Sequence, residues 1–265
     1  MLIESLTAAR GYEHVYIAPH LDDAVLSCGG RIALQVDGGQ PVLVVTICAG
    51  RPAASAELSP FAQYLHSAWA LGDDPVGLRR EEDRRALASL GCAGLHLGEL
   101  DAPYRVADYG ARDAVFGTPV TGDPLAEALE PILTQLHAQQ PQARLYMPLG
   151  VGQHVDHQLV CAAGLMLHEQ GADVVWYEDA PYAARQPHAL TERLAALSEQ
   201  FVPEAIAIDA ALERKLAAIR AYRSQLAELF GAVGMEQVMT AYAATVGDGQ
   251  HRFGERIWRR EQPQR

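Results

Sequence analysis

Long apolar stretches are missing from this chain. No run approaches the about 18 apolar residues a membrane-crossing helix needs. Met1 to Arg10 carries no apolar core of about 7 to 15 residues behind a basic start, as a secretion signal would. Membrane insertion is not expected, and a cytoplasmic location is. Cysteine is scarce: Cys28, Cys48, Cys92 and Cys161 are scattered among small or apolar neighbours, with no Cys-x-x-Cys pair. That excludes a disulfide framework and a thiolate zinc site, and reads as buried thiols in a reducing compartment. Basic residues are outnumbered, 21 Lys and Arg against 33 Asp and Glu, for a net charge of -12. Binding to a phosphate backbone needs clustered cations, so nucleic acid is not an expected partner. Neither Gly-x-Gly-x-x-Gly nor a Gly-Lys-Ser/Thr phosphate loop occurs, and no nucleotide cofactor is indicated. Internal repeats and low-complexity linkers are also absent, so residues 1–265 read as a single domain. Nothing in the composition fixes the oligomeric state, and a homo-oligomer stays open.

What is present is an alternation of short β-rich runs with longer segments of helical period. Strands are expected at His14 to Ala18, Pro41 to Cys48, Gly94 to Leu97, Arg144 to Pro148, Val174 to Tyr177 and Glu204 to Ile208. Helices are expected at Val25 to Val36, Phe61 to Leu71, Arg79 to Leu90, Leu125 to Gln139 and His157 to Gln170, with a long one from Ala210 to Phe230. Strands separated by helical segments imply βαβ units and a parallel sheet. Val42 to Ile47 is apolar without alternation, as befits a strand covered on both faces. The fold class is therefore α/β, a Rossmann-like three-layer sandwich with a mostly parallel sheet. Ser59-Pro60 and Asp123-Pro124 are N-cap signals, and Gly91 is a C-terminal stop. The stretch from Asp101 to Asp123 reads as a long loop shaping a cleft, while Gly247 to Arg265 receives no assignment.

Two strand ends carry the chemistry. Pro19-His20-Leu21-Asp22-Asp23 follows the first strand, and His154-Val155-Asp156-His157 follows the run ending at Leu149. Ligands of open α/β sheets bind beyond the carboxyl ends of the strands, so the two lips can meet over one metal. A catalytic zinc takes three nitrogen or carboxylate ligands and keeps a fourth position for water. In a tight turn one of Asp22 and Asp23 can bind the ion while its neighbour takes a proton. One of His154 and His157 can bind while the other faces a developing oxyanion. Asp156 can fix the tautomer of a histidine ring. The remaining histidines, His14, His66, His96, His137, His168, His188 and His251, have no carboxylate at useful spacing and read as structural or surface residues.

These two motifs resemble the signatures of the GlcNAc-phosphatidylinositol de-N-acetylase family, the PIG-L-like or LmbE-like zinc deacetylases. Arg79-x-x-Glu82-x-x-x-Ala86-x-x-x-Leu90-Gly91, Tyr177-Glu178-Asp179-Ala180-Pro181-Tyr182 and Lys215 to Gln225 are similar to further family segments. The resemblance implies removal of an N-acetyl group from an N-acetylglucosamine-type sugar or glycoside by a mononuclear divalent metal, Zn2+ or Fe2+. It makes His20, Asp23 and His157 the metal ligands and Asp22 the general base. His154 would stabilise the oxyanion or protonate the amine, and Asp156 would orient a histidine. Asp101 matches the family's sugar-hydroxyl acceptor, and Arg79 is a substrate-binding candidate. Where many members have Glu after the two Asp, this chain has Ala24, which leaves the ligand set intact and the subfamily open. The rival readings are an N-deacylase acting on a longer acyl chain or a non-sugar amide, and a metal- or sugar-binding protein without hydrolytic activity.

Overall fold

The computed structural model describes residues 1–186, 188–197 and 200–261. β1 (His14–Ala18) leads into α1 (Asp23–Asp37), β2 (Val42–Thr46), α2 (Pro60–Trp69), α3 (Pro75–Leu90) and β3 (Ala93–His96). The single-turn helices α4 (Ala102–Arg105) and α5 (Arg112–Val115) precede α6 (Pro124–Gln139), β4 (Arg144–Pro148), α7 (Val155–Glu169) and β5 (Val174–Tyr177). Then come α8 (Tyr182–Arg185), α9 (Ala189–Ala196), β6 (Phe201–Ala207), α10 (Leu212–Ile219), α11 (Arg223–Phe230), α12 (Met235–Val246) and β7 (Gly254–Arg260). They build a seven-stranded sheet in the order β3-β2-β1-β4-β5-β7-β6. The first five of these are parallel, and β7 runs antiparallel to β5 and to β6. Chain direction across the sheet reverses between β1 and β4, which pair directly from His14 opposite Arg144. The loops after these two strands diverge around that switch point and leave the crevice in which such sheets bind ligands.

Alternate residues of each strand serve two cores. Tyr16, Val44, Tyr146 and Val175 pack with side chains of α1, α3, α10 and α12. Val15, Ile17, Leu43, Leu145 and Trp176 pack with α6 and α7 on the other face. Helices on both faces explain the unbroken apolar run of β2, whose five residues are all buried. α1 can lie close to α10 because of its glycines. A Cβ on Gly30 would come within 2.9 Å of the Ile208 side chain, and one on Gly29 within 3.1 Å of Lys215. Among the described residues, no helix is long and apolar enough to cross a membrane.

The expected caps form. Ser59 Oγ accepts the Ala62 N–H, Asp123 accepts the Leu125 N–H, and Gly91 ends α3 with φ +77°. Three expectations need correction. The single helix from Ala210 to Phe230 is two, α10 and α11, because buried carboxylates of α3 capture the intervening segment. Tyr222 donates its hydroxyl to Asp83 Oδ1 at 2.6 Å, while Ser224 gives its N–H and hydroxyl to Glu82 at 3.0 and 2.6 Å. Glu82 thereby satisfies a free N–H of the first turn of α11, as a local cap would. The stretch from Asp101 to Asp123 is not featureless, since it folds into short helical turns. The unassigned tail contributes β7, and it is preceded by α12, where no helix is expected; residues 262–265 lie outside the described residues. All four cysteines are free and buried.

Candidate active site

The turn after β1 places His20, Asp22 and Asp23 at the switch point. Asp22 is the N-cap of α1 and has φ +136°, a conformation that residues with a Cβ rarely adopt. Backbone strain of this kind persists where the surroundings over-determine it, and it concentrates at functional sites. The turn after β4 needs two glycines with positive φ, Gly150 at +83° and Gly152 at +87°. A Cβ on Gly152 would fall 2.5 Å from the ring of Tyr182. The turn ends at His154, the N-cap of α7, so that Asp156 and His157 occupy its first turn and are fully buried.

Hydrogen bonds fix the two ring tautomers. His20 Nε2 donates to Asp156 Oδ2 at 2.9 Å, and His157 Nδ1 donates to Asp179 Oδ1 at 2.6 Å. That leaves His20 Nδ1 and His157 Nε2 as lone pairs, and they face each other at 3.2 Å. Asp23 Oδ2 stands 3.4 Å from the first and 3.3 Å from the second. Three such acceptors repel one another unless a proton or a cation lies among them. Ligands at 2.0–2.1 Å in a tetrahedral zinc site are about 3.3–3.4 Å apart, which matches the observed triangle. The donor set therefore fits a divalent metal. Ligand atoms of His20, His154 and His157 lie within 4.8 Å of one another, and a second such group is formed by His20, Asp101, His154 and Asp156. His154 is a poorer ligand than His157, because its Nδ1 already accepts the Asp156 N–H at 3.2 Å. Asp156 is consumed by three donors, His20, the Ala102 N–H at 3.1 Å and Arg105 at 2.6 Å.

The electrostatics follow from this arrangement. Burial opposes a charge on His157, but Asp23 and Asp179 outweigh it and raise its pKa to about 9. Burial would raise Asp23, yet His157 and His20 hold it well below the usual carboxylate range. The triangle thus demands positive charge. Asp22 behaves oppositely: burial, then repulsion from Asp23, raises it to about 8 against the opposing pull of Arg79. Its nearest cation is Arg79 Nη2 at 3.8 Å, which leaves its carboxylate facing the cleft. Burial and the neighbouring His20 lower His154 to about 3, so it is neutral with its proton on Nε2.

Around these groups lies an open cleft with a cavity volume of about 110 Å³. His20, Asp22, Asp23, Asp101, Arg79 and His154 line it, with Asp156 and His157 beneath. All eight residues singled out in the sequence therefore meet at one place. Asp101 Oδ1 is buried 3.5 Å from His20 Nε2 and has no hydrogen-bond partner. Arg79 stacks over Trp69 at 4.5 Å and donates to the Leu21 carbonyl. The far walls come from Phe61, Leu65, Phe116, Tyr182, Gln225 and Glu228. Three contributors were not foreseen. Asp179 holds His157 with one oxygen and the N–H groups of Gly150 and Val151 with the other, each at 2.8 Å. Its place directly beyond a strand end, in the Tyr177 to Tyr182 segment, was the available signal. Arg105 and Glu228 carry no local signature. His96 is structural, as expected, although it does find a carboxylate: it pairs with Asp83 at 2.7 Å, away from the cleft lining.

Such a cleft at the switch point of an α/β sheet, with two histidines and a carboxylate converging beside a free carboxylate, defines a metal hydrolase. Residues 15–168 match the model of the GlcNAc-PI de-N-acetylase family, PIG-L, and the chain belongs to that family. It is 30% identical over 221 residues to a 2'-N-acetylparomamine deacetylase of Streptomyces fradiae, covering 79% of this chain and 72% of the relative. It is 28% identical over 239 residues to another of Niallia circulans, covering 82% of each. The zinc-inhibited form of teicoplanin deacetylase has the same fold, with a TM-score of 0.77 and 27% identity over 94% of this chain and 99% of that one.

Proposed function

We propose that this chain is a cytoplasmic, single-domain, zinc-dependent N-deacetylase that releases acetate from an N-acetylglucosamine-type amino sugar or glycoside. The observation that carries the reading is the division of labour in adjacent residues: Asp23 is committed to the lone-pair triangle with His20 and His157, while Asp22 is free in the cleft. A binding protein has no use for that second carboxylate. The deacetylase activities of the relatives support the same reading. A divalent ion is supported by the donor set, while the zinc of the teicoplanin deacetylase structure belongs to an inhibited form of that enzyme.

His20, Asp23 and His157 would hold the ion, which supplies Lewis acidity for the carbonyl and for the attacking water. Asp22 accepts the water proton as the oxygen adds to the amide carbon. His154 donates Nε2–H to the oxyanion that develops; its Nδ1 is committed to the Asp156 N–H, so the proton cannot move to the other nitrogen without losing that bond. A pKa of about 3 makes His154 a hydrogen-bond donor rather than a proton source at neutral pH. Asp22 therefore returns its proton to the nitrogen as the C–N bond breaks, giving acetate and the free amine. Asp101 accepts a sugar hydroxyl through its unpaired Oδ1, and Arg79 restrains Asp22. The 101–123 segment presents Asp101 and Arg112 as well as Pro103 and Phe116 to the cleft, so it offers hydroxyl partners and an apolar face together.

The test is amine release from N-acetylglucosamine glycosides and from 2'-N-acetylated aminoglycosides, with N-hexanoyl analogues alongside. Acetate release from the acetylated sugars supports the reading. Turnover confined to the hexanoyl analogues would replace it with a longer-chain deacylase.

A further inference from the structure

We propose that Arg105 is a positioning residue for the metal ligand His20, and that it joins metal affinity to the order of the 101–123 wall. The inference rests on the metal-site reading above. A continuous chain of contacts runs from the wall to the ligand. Asp123 receives Arg105 Nε at 2.7 Å and Nη2 at 2.8 Å. Arg105 Nη2 also reaches Asp156 Oδ1 at 2.6 Å, and Asp156 Oδ2 receives His20 Nε2 at 2.9 Å. The side chains of Arg105, Asp123 and Asp156 are 5%, 1% and 0% exposed.

Segment 100–105 wraps Asp156. The Ala102 N–H donates to the carboxylate that His20 uses, while Arg105 Nη1 ties back to the Leu100 carbonyl at 2.5 Å. Asp101 and Pro103, both lining the cleft, are carried on this segment, and the Pro103 carbonyl is fastened to Ser59 at the start of α2. Two buried carboxylates share one guanidinium whose planar fork serves both, a geometry lysine cannot reproduce. Without Arg105, Asp156 loses a charge-assisted bond and the restraint on where its Oδ2 stands. His20 then loses the partner that fixes its tautomer and aims Nδ1 at the triangle. By linkage, whatever holds His20 in place also orders the wall, so metal binding and wall order strengthen each other equally.

The experiment measures zinc affinity of the full chain by competition with a chromophoric chelator, for wild type, Arg105→Lys and Arg105→Met. Hydrogen exchange of residues 101–123 is followed with and without zinc. Loss of a group that orients a metal ligand weakens binding about 10–100-fold, which is expected for Arg105→Met, with Arg105→Lys in between. Zinc should slow exchange of the wall in wild type and not in Arg105→Met. A cooperatively folded Arg105→Met that binds zinc as tightly as wild type would overturn the inference. Should Arg105→Met fail to fold, Asp123→Asn decides: it keeps the Asp156 contact but frees the fork, and unchanged zinc affinity together with unchanged zinc protection would equally overturn the proposal. Failure of wild type to bind zinc is seen without any variant and would overturn the metal-site reading, and this inference with it.

Discussion

Replacing Asp22 by asparagine should make the protein inactive and more stable. Burial and the charge of Asp23 raise the Asp22 pKa from 3.8 to about 8. Between those values the folded chain holds a proton that the unfolded chain releases, so stability falls as pH rises from about 4 to 8 and the full cost is present above 8. Four units correspond to about 6 kcal/mol at 1.36 kcal/mol each. Relaxation around a buried charge and loss of the Arg79 contact reduce this, and a net gain of about 2 kcal/mol is expected for Asp22→Asn at pH 8. Asparagine also tolerates positive φ better than most residues. For a chain of this size that gain raises Tm by about 4–8 °C. The assay is thermal unfolding with a chelator present, at pH 5 and pH 8, together with kcat of the metal-loaded protein. The gain should shrink at pH 5, and kcat should fall about 10²–10⁴-fold with loss of the base. An Asp22→Asn protein that melts at or below wild type at pH 8, or that keeps its turnover, would refute the reasoning. A catalytic carboxylate held at the expense of stability is the trade-off expected of a functional site.

Three further outcomes follow from the geometry. His154→Ala removes the oxyanion donor and should lower kcat about 10²–10³-fold with little change in KM, as steady-state kinetics would show. Asp179→Ala leaves the His157 ring without its acceptor for Nδ1–H and should weaken metal binding about 10–100-fold in chelator competition; unchanged affinity would show that Asp179 does not aim the ring. Gly30→Ala places a Cβ 2.9 Å from Ile208 and should cost about 1–3 kcal/mol in denaturant unfolding without affecting the chemistry of any stripped and reloaded protein.

The parallel sheet and the two lips were legible because strands covered on both faces write themselves as apolar runs, and because His20 to Asp23 and His154 to His157 follow such runs directly. β7 was not legible: its residues Gly254 to Arg260 mix glycine and charge, and burial along the strand follows no period of two, since Gly254 and Glu255 are both buried and so are Ile257 and Trp258. The break between α10 and α11 is invisible locally, since helical period continues through it and the interruption comes from Glu82 and Asp83 on α3. Within the site, residues that could touch a metal declared themselves by type and spacing. Those that aim them did not, because the partner of His157 is 22 residues away and Arg105 lies 51 residues before Asp156.

If His20, Asp23 and His157 hold one divalent ion and Asp22 stands free of it, the metal content of variants separates the two aspartates. The most direct measurement is the number of zinc ions retained per chain after dialysis against trace zinc, for wild type, His157→Ala and Asp22→Asn. One ion is expected in wild type and in Asp22→Asn, and close to none in His157→Ala. Equal loss of zinc from the two variants would contradict this expectation, because Asp22 would then be a ligand and not the base.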